Sequence, residues 1–149
     1  MRPSRIAYIF TTLLLVLGLS QYIRAHAPKP VAEDTPKIIQ FGLDTYKSEG
    51  PEAAVKAWLK GGPLEGSKDA YSQVTNLRQI QDSYGSFRSC DVIHSQDLSP
   101  AVRIIYVALN YERGPLFVRF ILFRSDPGWI VTAFDLNAKP EQILPNLIQ

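Results

Sequence analysis

Two successive stretches of this chain are apolar on both faces of a strand, and few folds accept that. In the first, Val102, Ile104, Tyr106 and Ala108 alternate with Arg103, Ile105, Val107 and Leu109. In the second, Leu116, Val118, Phe120 and Leu122 alternate with Phe117, Arg119, Ile121 and Phe123. The period is two, and the residues are the β-branched and aromatic types that a pleated sheet packs well. A sheet with one wet face would show a polar residue at every second position. These strands therefore need cover on both sides: helices on one, and another body or a second copy of the sheet on the other.

The rest of the chain supplies the helices. Ile38, Ile39, Leu43 and Tyr46 form a helical stripe that Thr35 can cap and that ends before Gly50. Pro51 opens a second helix with Ala54, Val55, Trp58 and Leu59 on one face, stopped by Gly61 and Gly62. Ser67 can cap a third, in which Ala70, Val74, Leu77, Ile80 and Tyr84 recur at three- and four-residue steps before Gly85. Four strands follow, at about Phe87 to His94, Val102 to Glu112, Leu116 to Arg124 and Trp129 to Leu136. Tight turns at Arg113-Gly114-Pro115 and Asp126-Pro127-Gly128 make neighbouring strands antiparallel. Beyond Lys139, Pro140 and Pro145 flank Ile143 and Leu144, which reads as a short docked segment. The fold class is α+β, with N-terminal helices packed on a four-stranded antiparallel sheet.

Before this domain, at 37–149, come a leader over 1–25 and an extended tether over 26–36. Arg2 and Arg5 precede an apolar run from Ile6 to Leu19, the arrangement of a secretory signal. The run falls short of the roughly 20 apolar residues a bilayer span needs, so a retained N-terminal anchor is the alternative reading. Ala25-His26-Ala27 has the small-x-small pattern of a cleavage site, and a cut after Ala25 avoids Pro28 at the scissile bond. The domain is expected to be periplasmic or secreted, or anchored and facing away from the cytoplasm. Without the three arginines of the leader the net charge passes from +2 to −1. So neutral a domain has no electrostatic footprint for nucleic acid, and it meets a membrane only if the leader is retained. Its single cysteine, Cys90, allows no internal disulfide and reads as a buried, inert thiol.

Helices first, then antiparallel strands, with Asp126-Pro127-Gly128-Trp129 turning into the last strand, resemble the small exported members of the nuclear transport factor 2-like (cystatin-like) superfamily. The resemblance covers Thr35 to Leu136. It implies a strongly curved sheet wrapped over helices as a cone. That scaffold hosts isomerases, dehydratases, hydrolases, binding modules and association domains, and none of its catalytic patterns matches this chain residue by residue.

A search for chemistry finds little. The exported part has one histidine, His94, and one cysteine, Cys90; on a strand they share a face about 13 Å apart, too far for one metal ion. No metal, cofactor or nucleotide motif is present, and no catalytic residue is assigned. Four residues are candidates for ligand binding. Asp135 interrupts an apolar strand and by alternation joins Trp129, Val131 and Ala133; a desolvated carboxylate there can act as a base or hold a polar ligand. Arg119 lies on a central strand within reach of Asp135, while Tyr106 and Tyr84 can present hydroxyls to a pocket.

The resulting expectation is a non-catalytic exported domain that binds a small apolar or amphipathic ligand, or a protein partner across the sheet, a second copy included. One alternative is a small isomerase- or dehydratase-like enzyme with Asp135 as base and Tyr106 or Tyr84 as hydroxyl donor. Another is a membrane-anchored subunit of an envelope assembly.

Overall fold

Helix formation follows the apolar stripes and their punctuation. In the computed structural model, which describes residues 35–144, α1 spans Lys37–Glu49, α2 spans Pro51–Leu59 and α3 spans Lys68–Tyr84. The leader, nearly all of the tether and the last five residues lie outside the described residues. Gly50 separates α1 from α2 at φ 88°, and Gly85 closes α3 at φ 83° while donating its N–H to the Gln81 carbonyl at 2.9 Å. Both are left-handed positions that a Cβ would strain. Ser67 caps α3, its hydroxyl accepting the Ala70 N–H at 3.1 Å. The cap expected from Thr35 is not formed: Pro36 takes the capping position, and its carbonyl accepts the Ile39 N–H at 2.9 Å.

The strands form one antiparallel meander, β1 (Phe87–Ser99), β2 (Val102–Tyr111), β3 (Gly114–Ser125) and β4 (Gly128–Asn137), in that spatial order. The β2–β3 turn falls at Glu112 and Arg113, one position ahead of the expected one, because the third helix holds it: the Arg113 N–H donates to the Tyr84 carbonyl at 2.9 Å and the Glu112 N–H to Ser86 at 3.2 Å. The short α4 (Pro140–Ile143) packs against β3 and β4, as a docked segment should.

Four register shifts, three in β1 and one in β4, decide which face each edge-strand residue occupies, and two of them bear on the candidate residues. In β1 the register shifts between Val92 and His94, and in β4 Thr132 is the extra residue between Val131 and Ala133. A bulge inserts one residue and reverses the alternation beyond it. Cys90 therefore pairs with Leu109, whereas His94 pairs with Tyr106 on the opposite face, which corrects the expectation that the two share one. Likewise Asp135 shares its face with Ala133 but not with Trp129 and Val131.

The helices cover the face that carries Ile105, Val107, Leu109, Leu116, Val118, Phe120, Leu122, Val131 and Phe134, all buried. Trp58 stands at the centre of this core, fully buried, with its ring 5.2 Å from Phe120 and 5.5 Å from Phe134 and its indole N–H donating to the Ile39 carbonyl at 3.2 Å. Gly42 makes room for it, since a Cβ there would land inside the indole ring. At one end of the core Tyr46 and Tyr111 share a buried hydroxyl–hydroxyl hydrogen bond of 2.7 Å. Burial holds both phenols protonated, pushing their pKa values above the ordinary tyrosine range.

Candidate functional site

The other face of the sheet has no described helix across its middle. Strand alternation places Ile104, Tyr106 and Ala108 of β2 there, with Phe117, Arg119, Ile121 and Phe123 of β3 and Ala133 and Asp135 of β4. Tyr106, Phe117 and Ile121 are half-buried, and Phe123 is 44% exposed. Ala108, Ile143 and Leu144 are buried but stand outside the helix-side core cluster. Apolar side chains gathered on a face that no described helix crosses at its middle mark a candidate interaction surface.

Register turns three of the four sequence candidates into one row. His94 pairs with Tyr106, Tyr106 with Arg119, and Arg119 with Asp135, so one residue from each strand lines up across the whole sheet. Within the row the His94 and Tyr106 rings stack 6.4 Å apart at 28°. Arg119 donates to Asp135 from Nε at 3.2 Å and from Nη2 at 2.8 Å, both bonds landing on Oδ2. Their side chains are 31% and 47% exposed. Asp135 is thus a wet, paired carboxylate and not the desolvated one a strand base requires. The row includes His94, which sequence reasoning places on the same face as Cys90; only the bulge, for which no glycine or proline gives a signal, brings it to Tyr106.

Tyr84 does not join them. It ends α3 on the helix side, where its ring meets Tyr111 edge-on at 6.4 Å. Cys90 lies half-buried against the helix-side core, and burial, with Asp91 and Asp44 behind it, pushes its thiol above the ordinary cysteine range. It is protonated at neutral pH and a poor nucleophile. At the far end of the helix side, Arg103 and Arg124 stack on Trp129 with guanidinium carbons 5.3 and 5.6 Å from the ring centroid. Arg103 also grips Asp97 through Nε at 2.5 Å and Nη2 at 3.0 Å, which holds the Asp97 carboxyl below the usual carboxylate range.

The space between helices and sheet is filled by Trp58, Phe120 and Phe134, each nearly or fully buried. A cleft of about 230 Å³ opens along the outer edge of β4, lined by Leu59, Leu64, Asp69, Gln73, Thr132 and Asp135 among others. It is smaller than the roughly 300–1,000 Å³ usual for a small-molecule site. Among the described residues no three His, Cys, Asp or Glu side chains are placed to hold a metal ion, and no helix is long and apolar enough to cross a membrane.

Comparison with known proteins gives fold-level similarity alone. No family model and no curated protein matches the chain. Among solved structures it is similar to a domain of unknown function with a cystatin-like fold from Nostoc punctiforme, at 9% identity and a TM-score of 0.49, over 76% of this chain and 80% of that one. It is also similar to the intermembrane space region of the chloroplast protein ARC6, at 10% identity and a TM-score of 0.39, over 69% of this chain and 90% of that one.

Proposed function

We propose that this chain is an exported, non-catalytic binding domain that holds a protein partner on the open face of its sheet. The observation that carries the reading is the apolar field around Arg119 and Asp135, with Ile104, Tyr106, Ile121 and Phe123 turned away from the helices. Export rests on the leader, whose charged-then-apolar order is that of a secretory signal. The filled interior and the small cleft at β4 favour a protein over an amphipathic ligand. The half-exposed, arginine-bound state of Asp135 disfavours the isomerase or dehydratase alternative.

The test is photo-crosslinking in cells that make the full chain, with a photoreactive residue placed at Ile121 or Phe123 and, as controls, at Tyr71 and Thr75 on the exposed side of α3. Protein adducts of defined mass from the sheet positions alone are the expected result. Adducts from the helix positions only, or none from the sheet, overturn the reading.

A further inference from the structure

The cleft beside β4 has an apolar wall and a polar lining that lacks donors. Leu59 and Phe134, both buried, and Leu64 and Ala70, both half-buried, make the wall, while Asp69, Gln73, Thr132 and Asp135 supply the polar groups. Asp69 and Gln73 stand four residues apart on α3, so one helix face presents both. The Gln73 amide nitrogen reaches across to the strand and donates to the Phe134 carbonyl at 3.5 Å. Thr132, the bulge residue of β4, gives its hydroxyl proton to the Ile121 carbonyl at 3.1 Å. The side-chain donors of the lining are thus engaged, and acceptors remain.

Those acceptors are short of partners. Gln73 Oε1 is buried with no hydrogen-bond partner among the described residues, and a buried acceptor costs stability until a donor reaches it. Both bonds from Arg119 fall on Oδ2 of Asp135, which leaves Oδ1 unengaged. The Asp69 carboxylate has no hydrogen bond or ion pair among the described residues, and none of their lysines or arginines lines the cleft. A lining of this kind selects a cation rich in N–H groups, and the apolar wall selects an aliphatic stem behind it. Lysine and arginine side chains have that form, with donors at the head and no acceptor.

Volume sets the size of the occupant. About 230 Å³ holds about seven groups the size of a water at ~30 Å³ each, the scale of one long side chain and not of a cofactor. Position sets its source. Asp135 lines the cleft and also stands on the open face in the row with Arg119 and Tyr106, so a protein seated on the sheet reaches over β4 into the cleft.

We infer that the cleft between α3 and β4 receives one lysine or arginine side chain of the protein partner, its head held by Asp69, Gln73 and Asp135 and its stem laid against Leu64 and Phe134. The inference rests on the reading of this chain as a protein-binding domain and adds the chemistry by which the partner is recognised.

The experiment has two arms. In the first, the isotope-labelled chain, purified from the cells that make it, is titrated with butylammonium and with butylguanidinium while backbone amide resonances are followed; pentanol and sodium chloride are the controls. Saturable shifts at Leu64, Ala70, Gln73 and Phe134 are expected from the two cations, with a dissociation constant on the order of ~1 mM for ligands of so few atoms, and none from the controls. Asp69→Asn, which removes one charge from an exposed helix position, should weaken that binding about tenfold, and Ala70→Leu, which fills the cleft, should abolish it. Circular dichroism of each variant shows that the loss is one of binding and not of folding. In the second arm a photoreactive residue at Leu64 in cells should give an adduct of the same mass as one at Ile121, and Asp69→Asn should diminish the Leu64 adduct.

No saturable shift at the cleft, or an equal response to pentanol, overturns the inference, and protein adducts from Ile121 then leave the parent reading in place. A cation response with no protein adduct from either position overturns the protein occupant together with the parent reading, and assigns the cleft to a free amine.

Discussion

The two faces of this sheet are nearly equal in apolar content and opposite in what they do with it. Under the helices, Phe120, Leu122 and Val118 are fully buried and Trp58 fills the space between the layers. On the other face, Phe123 is 44% exposed and Tyr106, Phe117 and Ile121 are half-buried. The polar residues differ just as much. The covered face buries a tyrosine pair that satisfies itself at 2.7 Å, while the open face displays an ion pair with an acceptor to spare. Hydrophobic residues on one side thus stabilise the monomer, and those on the other are available for association.

Breaking the covered face should cost most. Trp58→Ala removes the largest core side chain and orphans the Ile39 carbonyl contact, a loss of about 3–5 kcal/mol that denaturant unfolding will show as a lowered midpoint. Phe123→Ala, its counterpart on the open face, should change the unfolding of the dilute protein by less than about 0.5 kcal/mol. Equal losses would mean that the two faces are not distinct.

Tyr111→Phe sharpens the comparison from the polar side. It leaves the Tyr46 hydroxyl buried without its partner and should cost about 1–3 kcal/mol. The same pair sets a pH dependence. The folded phenols titrate above their unfolded value near 10, so the native state keeps protons that the unfolded state gives up. Stability is therefore complete below about pH 10 and falls as pH rises past it, with Cys90 adding a similar decline from about pH 9. Tyr111→Phe should flatten that fall. Arg119→Gln should also have little effect: a half-exposed ion pair contributes about 0–1 kcal/mol to folding, so its loss should be nearly silent in the dilute protein.

How far this is legible in the sequence depends on the element. Helical stripes, glycine stops and two-residue alternation locate the first three helices and all four strands, because those signals are local. Edge strands are less transparent. β1 runs on from Ser95 to Ser99 because it pairs with β2, although Ser95-Gln96-Asp97-Leu98-Ser99 reads as turn composition. The bulges at Ile93 and Thr132 carry no glycine or proline, so counting by twos slips one position and puts His94 and Asp135 among the wrong neighbours. Arg119 and Asp135 fall within reach of each other because their strands share a tight turn. Their alignment with Tyr106 and His94 is a product of register, which is set across strands and not along them.

The most direct test of the contrast between the two faces is the thermal midpoint of the wild type and of Phe123→Lys, each measured over a wide range of protein concentration. If the open face serves association and not folding, the midpoints of the two proteins agree at high dilution. A variant already less stable than the wild type at high dilution would contradict the account.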